Sequence, residues 1–165
     1  MADPSGANRL TSASARGELT RLQVILQNGA DVNERNVFGR TALQVMKLGN
    51  PAIAEALLQA NADPNVRDPL GGLTVLHDAA RDGYADTLQM LVNHGADVNI
   101  QDNDGNLPLH LAAREGNSDV VRFLIQRTTE PMQQNLGGKT AYDLAIMHNR
   151  VQTAQWIQNY VHSGE

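Results

Sequence analysis

Apolar residues along the chain fall into short blocks separated by polar, glycine-bearing segments, and the blocks are of two kinds. One kind reads Ala42-Leu43-Gln44-Val45-Met46, then Val75-Leu76-His77-Asp78-Ala79-Ala80, Pro108-Leu109-His110-Leu111-Ala112-Ala113 and Ala141-Tyr142-Asp143-Leu144-Ala145-Ile146. The other carries a broad apolar stripe at helical spacing, Leu88, Leu91 and Val92 in one copy and Val120, Val121, Phe123 and Leu124 in the next. Each block of the first kind predicts a helix start. Thr41, Thr74 and Thr140 stand where a hydroxyl caps orphan N–H groups, and Pro108 stands at the first helical position, where a missing N–H costs nothing. Gly83, Gly116 and Gly95 fall where the chain leaves a helix, consistent with a left-handed cap. The small pairs Ala79-Ala80 and Ala112-Ala113 predict close approach of neighbouring first helices. Each unit is therefore expected to be a pair of helices joined to the next by a turn, in an all-α chain.

The blocks keep time with one another. Gly39, Gly72, Gly105 and Gly138 lie 33 residues apart, and Leu43, Leu76, Leu109 and Tyr142 follow in step. Asn28-Gly-Ala-Asp-Val-Asn33, Asn61-Ala-Asp-Pro-Asn65 and His94-Gly-Ala-Asp-Val-Asn99 repeat between them. In period and in its Leu107-Pro108-Leu109-His110-Leu111-Ala112-Ala113 core, the chain resembles the ankyrin repeat. The resemblance implies a solenoid of about five helix-turn-helix units with projecting β-turn loops. One domain is expected over 8–160, with repeats near 8–36, 37–68, 69–101, 102–134 and 135–160, and flexible termini at 1–7 and 161–165. No such unit buries its apolar face alone, so stability comes from neighbour interfaces and the end units must present a polar outer side. The first unit accordingly lacks a full Thr-Pro-Leu-His, and the last carries Gln152, Gln155, Gln158 and Asn159 around Trp156, read as a structural cap.

Composition narrows the chemistry. The 165 residues are 41% hydrophobic but only 4% aromatic, so small residues must do the packing. There is no Cys, which removes thiolate chemistry and favours an intracellular setting. A net charge of −5 argues against a phosphate-tracking surface, so nucleic acid is not an expected partner. No run of 18 apolar residues and no leader-like start is present, so neither a membrane nor a secretory route is expected. Gly137-Gly138-Lys139-Thr140 imitates the end of a phosphate loop, but Gln133 stands where that motif needs its first Gly. His77 and His110 occupy equivalent positions and are expected to bond to the backbone of the neighbouring turn; two His without a third ligand make no zinc site. Neither a catalytic group, a metal site nor a cofactor is expected. What remains is recognition by the concave surface of the stack.

Two departures from the repeat are informative. The distance from Gly39 to Gly49 is 10, against 11 from Gly72 to Gly83 and from Gly105 to Gly116. The second repeat has lost a residue, and since one residue is about 100° of helix, its first helix is expected to be a single turn or irregular. Asp78 occupies a slot that is Val45, Leu111 or Leu144 elsewhere. One reading is structural: a carboxylate near a helix N-terminus is favoured by the dipole, and Arg81 at i+3 can pair with it. The other reserves it for a foreign surface.

Phe38-Gly-Arg-Thr-Ala-Leu-Gln-Val-Met46, the shortened second repeat and His77-Asp-Ala-Ala-Arg-Asp-Gly-Tyr-Ala-Asp-Thr-Leu88 resemble the ankyrin inhibitors of cyclin-dependent kinases four and six. That resemblance implies binding beside the kinase ATP cleft, opposite the cyclin side, with the lobes twisted, cyclin docking weakened and the cell cycle held in G1. It implies that Asp78 and Arg81 meet charged groups on the kinase and that Gln44 and Met46 reach it from the second repeat. It further implies contacts from Phe38, Leu73 and Asp86, with Tyr84 at the interface or on the stack surface. The turn Asp68-Pro69-Leu70-Gly71-Gly72 is one residue longer than the family's, and the fifth repeat is expected to serve stability. A monomer shared between cytoplasm and nucleus is expected. The competing reading is a general ankyrin adaptor for another signalling or transcription protein.

Overall fold

The computed structural model describes residues 6–163. Ten helices occur among them and no strand. They pair along the chain as α1 (Gly6–Arg16) with α2 (Leu19–Gln27), α3 (Ala42–Val45) with α4 (Pro51–Gln59) and α5 (Val75–Asp82) with α6 (Ala85–Asn93). Next come α7 (Pro108–Glu115) with α8 (Ser118–Ile125) and α9 (Ala141–Met147) with α10 (Val151–Ser163). The first members stack in the order α1, α3, α5, α7, α9 and the second members in the order α2, α4, α6, α8, α10, giving two parallel rows. The all-α stack expected from the pattern is the observed one.

The helices begin where the threonines are. Thr41 Oγ1 accepts from the Gln44 N–H while Gln44 Oε1 accepts from the Thr41 N–H at 2.7 Å. Thr74 with His77 and Thr140 with Asp143 make the same reciprocal pair. Leu107 has no hydroxyl, yet its N–H still donates to His110 Nδ1 at 2.8 Å. The inner helices touch through Ala79, Ala80, Ala112 and Ala113, all without exposed surface. Removing that surface and the side chains of Leu22, Ile53, Leu57, Leu91, Leu124 and Ile157 from water is the main favourable term.

Both His side chains bond to the backbone that leads into the next first helix. His77 Nε2 donates to the Asn106 carbonyl at 2.9 Å and His110 Nε2 to the Gln133 carbonyl at 2.8 Å. Burial holds both imidazoles below the usual histidine pKa, against the smaller effect of those carbonyls.

The shortened repeat has the expected consequence: α3 is one turn, and at Met46 the chain turns extended (φ −56°, ψ 153°). The ends differ from expectation. Helix α1 already covers Gly6 and Ala7, the latter buried, and α10 runs through 161–163 with Val161 against the core. The flexibility expected for 1–5 and 164–165 lies outside the described residues. Trp156 is half-buried against the core, stacked on Tyr160 at 5.4 Å with the Arg122 guanidinium 5.6 Å from its ring. Among the described residues no helix is long and apolar enough to cross a membrane.

Candidate protein-binding face

Asp78 sits on the first turn of α5. Its siblings Leu111 and Leu144 are 2% and 8% exposed, whereas the Asp78 side chain keeps 29% of its surface in water. Burial pushes its carboxyl above the ordinary aspartate value, against the pull of Arg81, whose Nη1 lies 3.2 Å away. The Arg81 guanidinium is shared: Nε donates to Asp82 Oδ1 at 2.9 Å and Nη2 to Asp82 Oδ2 at 3.3 Å. In the free chain Asp78 therefore has an intramolecular partner, worth a few tenths of a kcal/mol as a helical i,i+3 pair.

A second ionic pair lies beside the first. Arg40, at the base of the second turn, donates from Nε to Asp68 Oδ2 at 2.6 Å and from Nη2 to Asp68 Oδ1 at 3.3 Å. The guanidinium holds the Asp68 carboxyl below its ordinary range. Its charge also reaches Asp78, as does that of Asp68, which adds to the upward push there. Arg40, Asp68, Asp78, Arg81 and Asp82 thus form one alternating charge cluster across the second and third repeats. Sequence reasoning missed Arg40 and Asp68. Arg40 stands where the other repeats have Leu73, Asn106 and Lys139, and the one guanidinium among the four was the available signal.

The remaining expected contacts divide. Phe38 is 71% exposed on the tip of the second turn, joined by Val37 at 71% and by Leu70 at 83% on the third. Leu73 is half-buried, its carbonyl accepting the Asp68 N–H that closes the third turn. Tyr84 and Asp86 lie at the other end of α5, whose eight residues span about 12 Å. Both line a cleft of about 320 Å³ with Gly49 and Pro51. Two expectations need correction. Met46 is 5% exposed and belongs to the core, because ending α3 at Val45 lets the extended residue turn its side chain inward. Gln44 spends its carbonyl on the Thr41 cap, and its amide faces the Val66 carbonyl at 3.5 Å. Neither side chain is free to reach outward in this state.

The described residues contain no group of three or more His, Cys, Asp or Glu placed to hold a metal. Comparison with known proteins adds the lineage: a family model described as "Ankyrin repeats (3 copies)" matches residues 10–102 and 76–163. The chain belongs to the ankyrin-repeat family. Among its relatives, human "Cyclin-dependent kinase 4 inhibitor B" is 44% identical over 109 residues, which are 64% of this chain and 79% of that protein. "Cyclin-dependent kinase inhibitor 2A" of Monodelphis domestica is 44% identical over 101 residues, 61% of this chain and 59% of that protein. The rat inhibitor B is 43% identical over 100 residues, 61% of this chain and 77% of that protein. Within the ankyrin-repeat family the chain thus groups with the proteins named as cyclin-dependent kinase inhibitors.

Proposed function

We propose that the chain is a protein inhibitor of cyclin-dependent kinases four and six, without catalytic activity of its own. It binds beside the ATP cleft, distorts the lobes, weakens cyclin docking and so arrests the cell cycle in G1. Inhibition of this kind is a population shift: the inhibitor binds the inactive lobe arrangement better than the active one, and only that difference in affinity has an effect. It acts as a monomer in cytoplasm and nucleus. Within the family, its five repeats and the stretch Asn99-Ile-Gln-Asp-Asn-Asp-Gly-Asn-Leu-Pro-Leu-His-Leu-Ala-Ala113 look most like cyclin-dependent kinase 4 inhibitor C.

The observation that carries the reading is Asp78, a carboxyl side chain in an aliphatic slot, raised in pKa by its own burial and flanked by Arg81. In the free chain that placement is unfavourable, so the compensation is sought in a complex. Phe38, Leu73, Tyr84 and Asp86 contribute around it; Gln44 and Met46 support it from within. The test is binding of cyclin D-dependent kinases and of related cell-cycle kinases to the wild type, Asp78→Asn and Arg81→Ala. Truncating one member of a charge pair that docking desolvates costs roughly 2 to 5 kcal/mol, with the circular-dichroism spectrum unchanged. Equal binding by both variants removes this face from the interface, and equal capture of all kinases by the wild type favours a general adaptor.

A further inference from the structure

The turns of the stack are not all held in the same way. In the second, fourth and fifth repeats the turn closes over four residues, Asn36 N–H to Arg40 O, Asp102 N–H to Asn106 O and Asn135 N–H to Lys139 O, each at 2.8 Å. In each, the opening side chain also accepts two turn N–H groups: Phe38 and Arg40 on Asn36, Asp104 and Asn106 on Asp102, Gly137 and Lys139 on Asn135. The third turn is longer. Its closure runs from the Asp68 N–H to Leu73 O at 2.7 Å, and Asp68 Oδ1 accepts only one turn N–H, that of Leu70. The carboxylate therefore has acceptor capacity to spare, and Arg40 of the preceding turn takes it with two donors.

Links between turns show the same substitution. A backbone bond joins the third turn to the fourth, Asn103 N–H to Gly71 O at 2.9 Å, and another joins the fourth to the fifth, Leu136 N–H to Asp104 O at 3.0 Å. Among the described residues no backbone bond joins the second turn to the third; the ion pair stands in its place. Arg40 follows Phe38 by two positions and Leu70 follows Asp68 by two, so the pair lies at the base of the two tips that carry Val37, Phe38 and Leu70.

The geometry points to Arg40 and Asp68 as positioning residues of the proposed kinase inhibitor: a charged clamp that fixes the second and third tips relative to one another and presents Val37, Phe38 and Leu70 as one apolar edge. This rests on the kinase-binding reading above. A bidentate guanidinium–carboxylate pair is suited to the task because its planar fork sets orientation as well as distance. Holding the tips in place before contact removes an ordering cost that binding would otherwise bear.

The absence of Cys makes the test clean. Spin labels on Val37→Cys and Leu70→Cys report the distance between the tips, alone and with Arg40→Gln or Asp68→Asn added. Kinase affinity and urea midpoint are measured on the unlabelled Arg40→Gln, Asp68→Asn and charge-swapped Arg40→Asp/Asp68→Arg proteins. The expected result is a narrow distance distribution that broadens in either single variant, a loss of affinity of about tenfold at a little-changed urea midpoint, and recovery in the swap. A distribution as narrow as the wild type's, or single variants that bind like it, overturns the clamp while leaving the kinase reading standing. Wild type that binds no kinase overturns both. Should a single variant fail to fold, the Leu70→Ser protein decides: undiminished affinity there refutes the apolar edge, and weakened affinity supports it.

Discussion

Replacing Asp78 by leucine asks the stack directly what it prefers at that position. The siblings Leu111 and Leu144 are 2% and 8% exposed in the equivalent slot, so a leucine has a place to go. Asp78 leaves 29% of its side chain in water, so about seven-tenths of a leucine side chain would be withdrawn, worth roughly 1 to 2 kcal/mol from a full-burial value of about 1.5 to 3. Against that stand a few tenths for the lost Arg81 pair, since Arg81 keeps Asp82, and a few tenths for the lost interaction with the helix dipole. The balance is a gain of about 1 kcal/mol, or about 2 to 4 °C in Tm for a chain of this size. The pH dependence follows from the raised carboxyl pKa. The folded state holds the proton better than the unfolded one, so stability falls as pH rises from the ordinary value of 3.8 to the higher folded value, and the full penalty applies above it. The Asp78→Leu protein lacks that penalty, so its advantage grows as pH rises above 3.8 and shrinks as the solution becomes acid. Urea denaturation followed by circular dichroism at several pH values measures the stability, and calorimetric titration with the kinase measures the binding. A more stable protein that binds weakly is the expected outcome. A less stable variant with undiminished binding would refute both the slot argument and the assignment of the carboxylate to the partner.

Acid should loosen the joints between repeats three, four and five. His77 and His110 are held below the usual pKa of 6.5 by burial, so as pH falls beneath 6.5 the unfolded chain takes up protons before the folded one and stability drops. Urea midpoints between pH 7.5 and 5 should decline, and His77→Gln should flatten part of the decline; a midpoint independent of pH over that range contradicts the buried, carbonyl-bound imidazoles. Gly105→Ala should cost more than Gly95→Ala, although both glycines have positive φ. A Cβ on Gly105 would meet the Leu136 backbone nitrogen at 2.8 Å, whereas nothing lies within 4 Å of one on Gly95. We expect roughly 2 to 4 kcal/mol for the first and roughly 1 to 2 for the second, and equal losses would show that the turn contact contributes nothing.

Much of the fold was legible because the stack is quasi-one-dimensional. A period of 33, the threonine caps, the alanine pairs and the shortened first helix of the second repeat all act on neighbours a few residues or one unit away. The two His bonds to the next turn were legible for the same reason. The odd carboxylate at Asp78 was visible as a break in that regularity. Met46 and Gln44 were not legible in the same way: both stand in a short exposed-looking segment, and each is claimed by its own scaffold, one by the core and one by the Thr41 cap.

The amino-acid order therefore determined which residues form helices, how many units stack and where the pattern is broken, since local caps and a fixed repeat settle those without long-range information. Only the folded arrangement decided which side chains remain available. Arg40 and Asp68 are 28 residues apart and meet because the third turn, one residue longer than its siblings, leaves an acceptor unfilled within reach of the preceding repeat. Such a pairing depends on the direction in which each turn projects, a property of two packed repeats together.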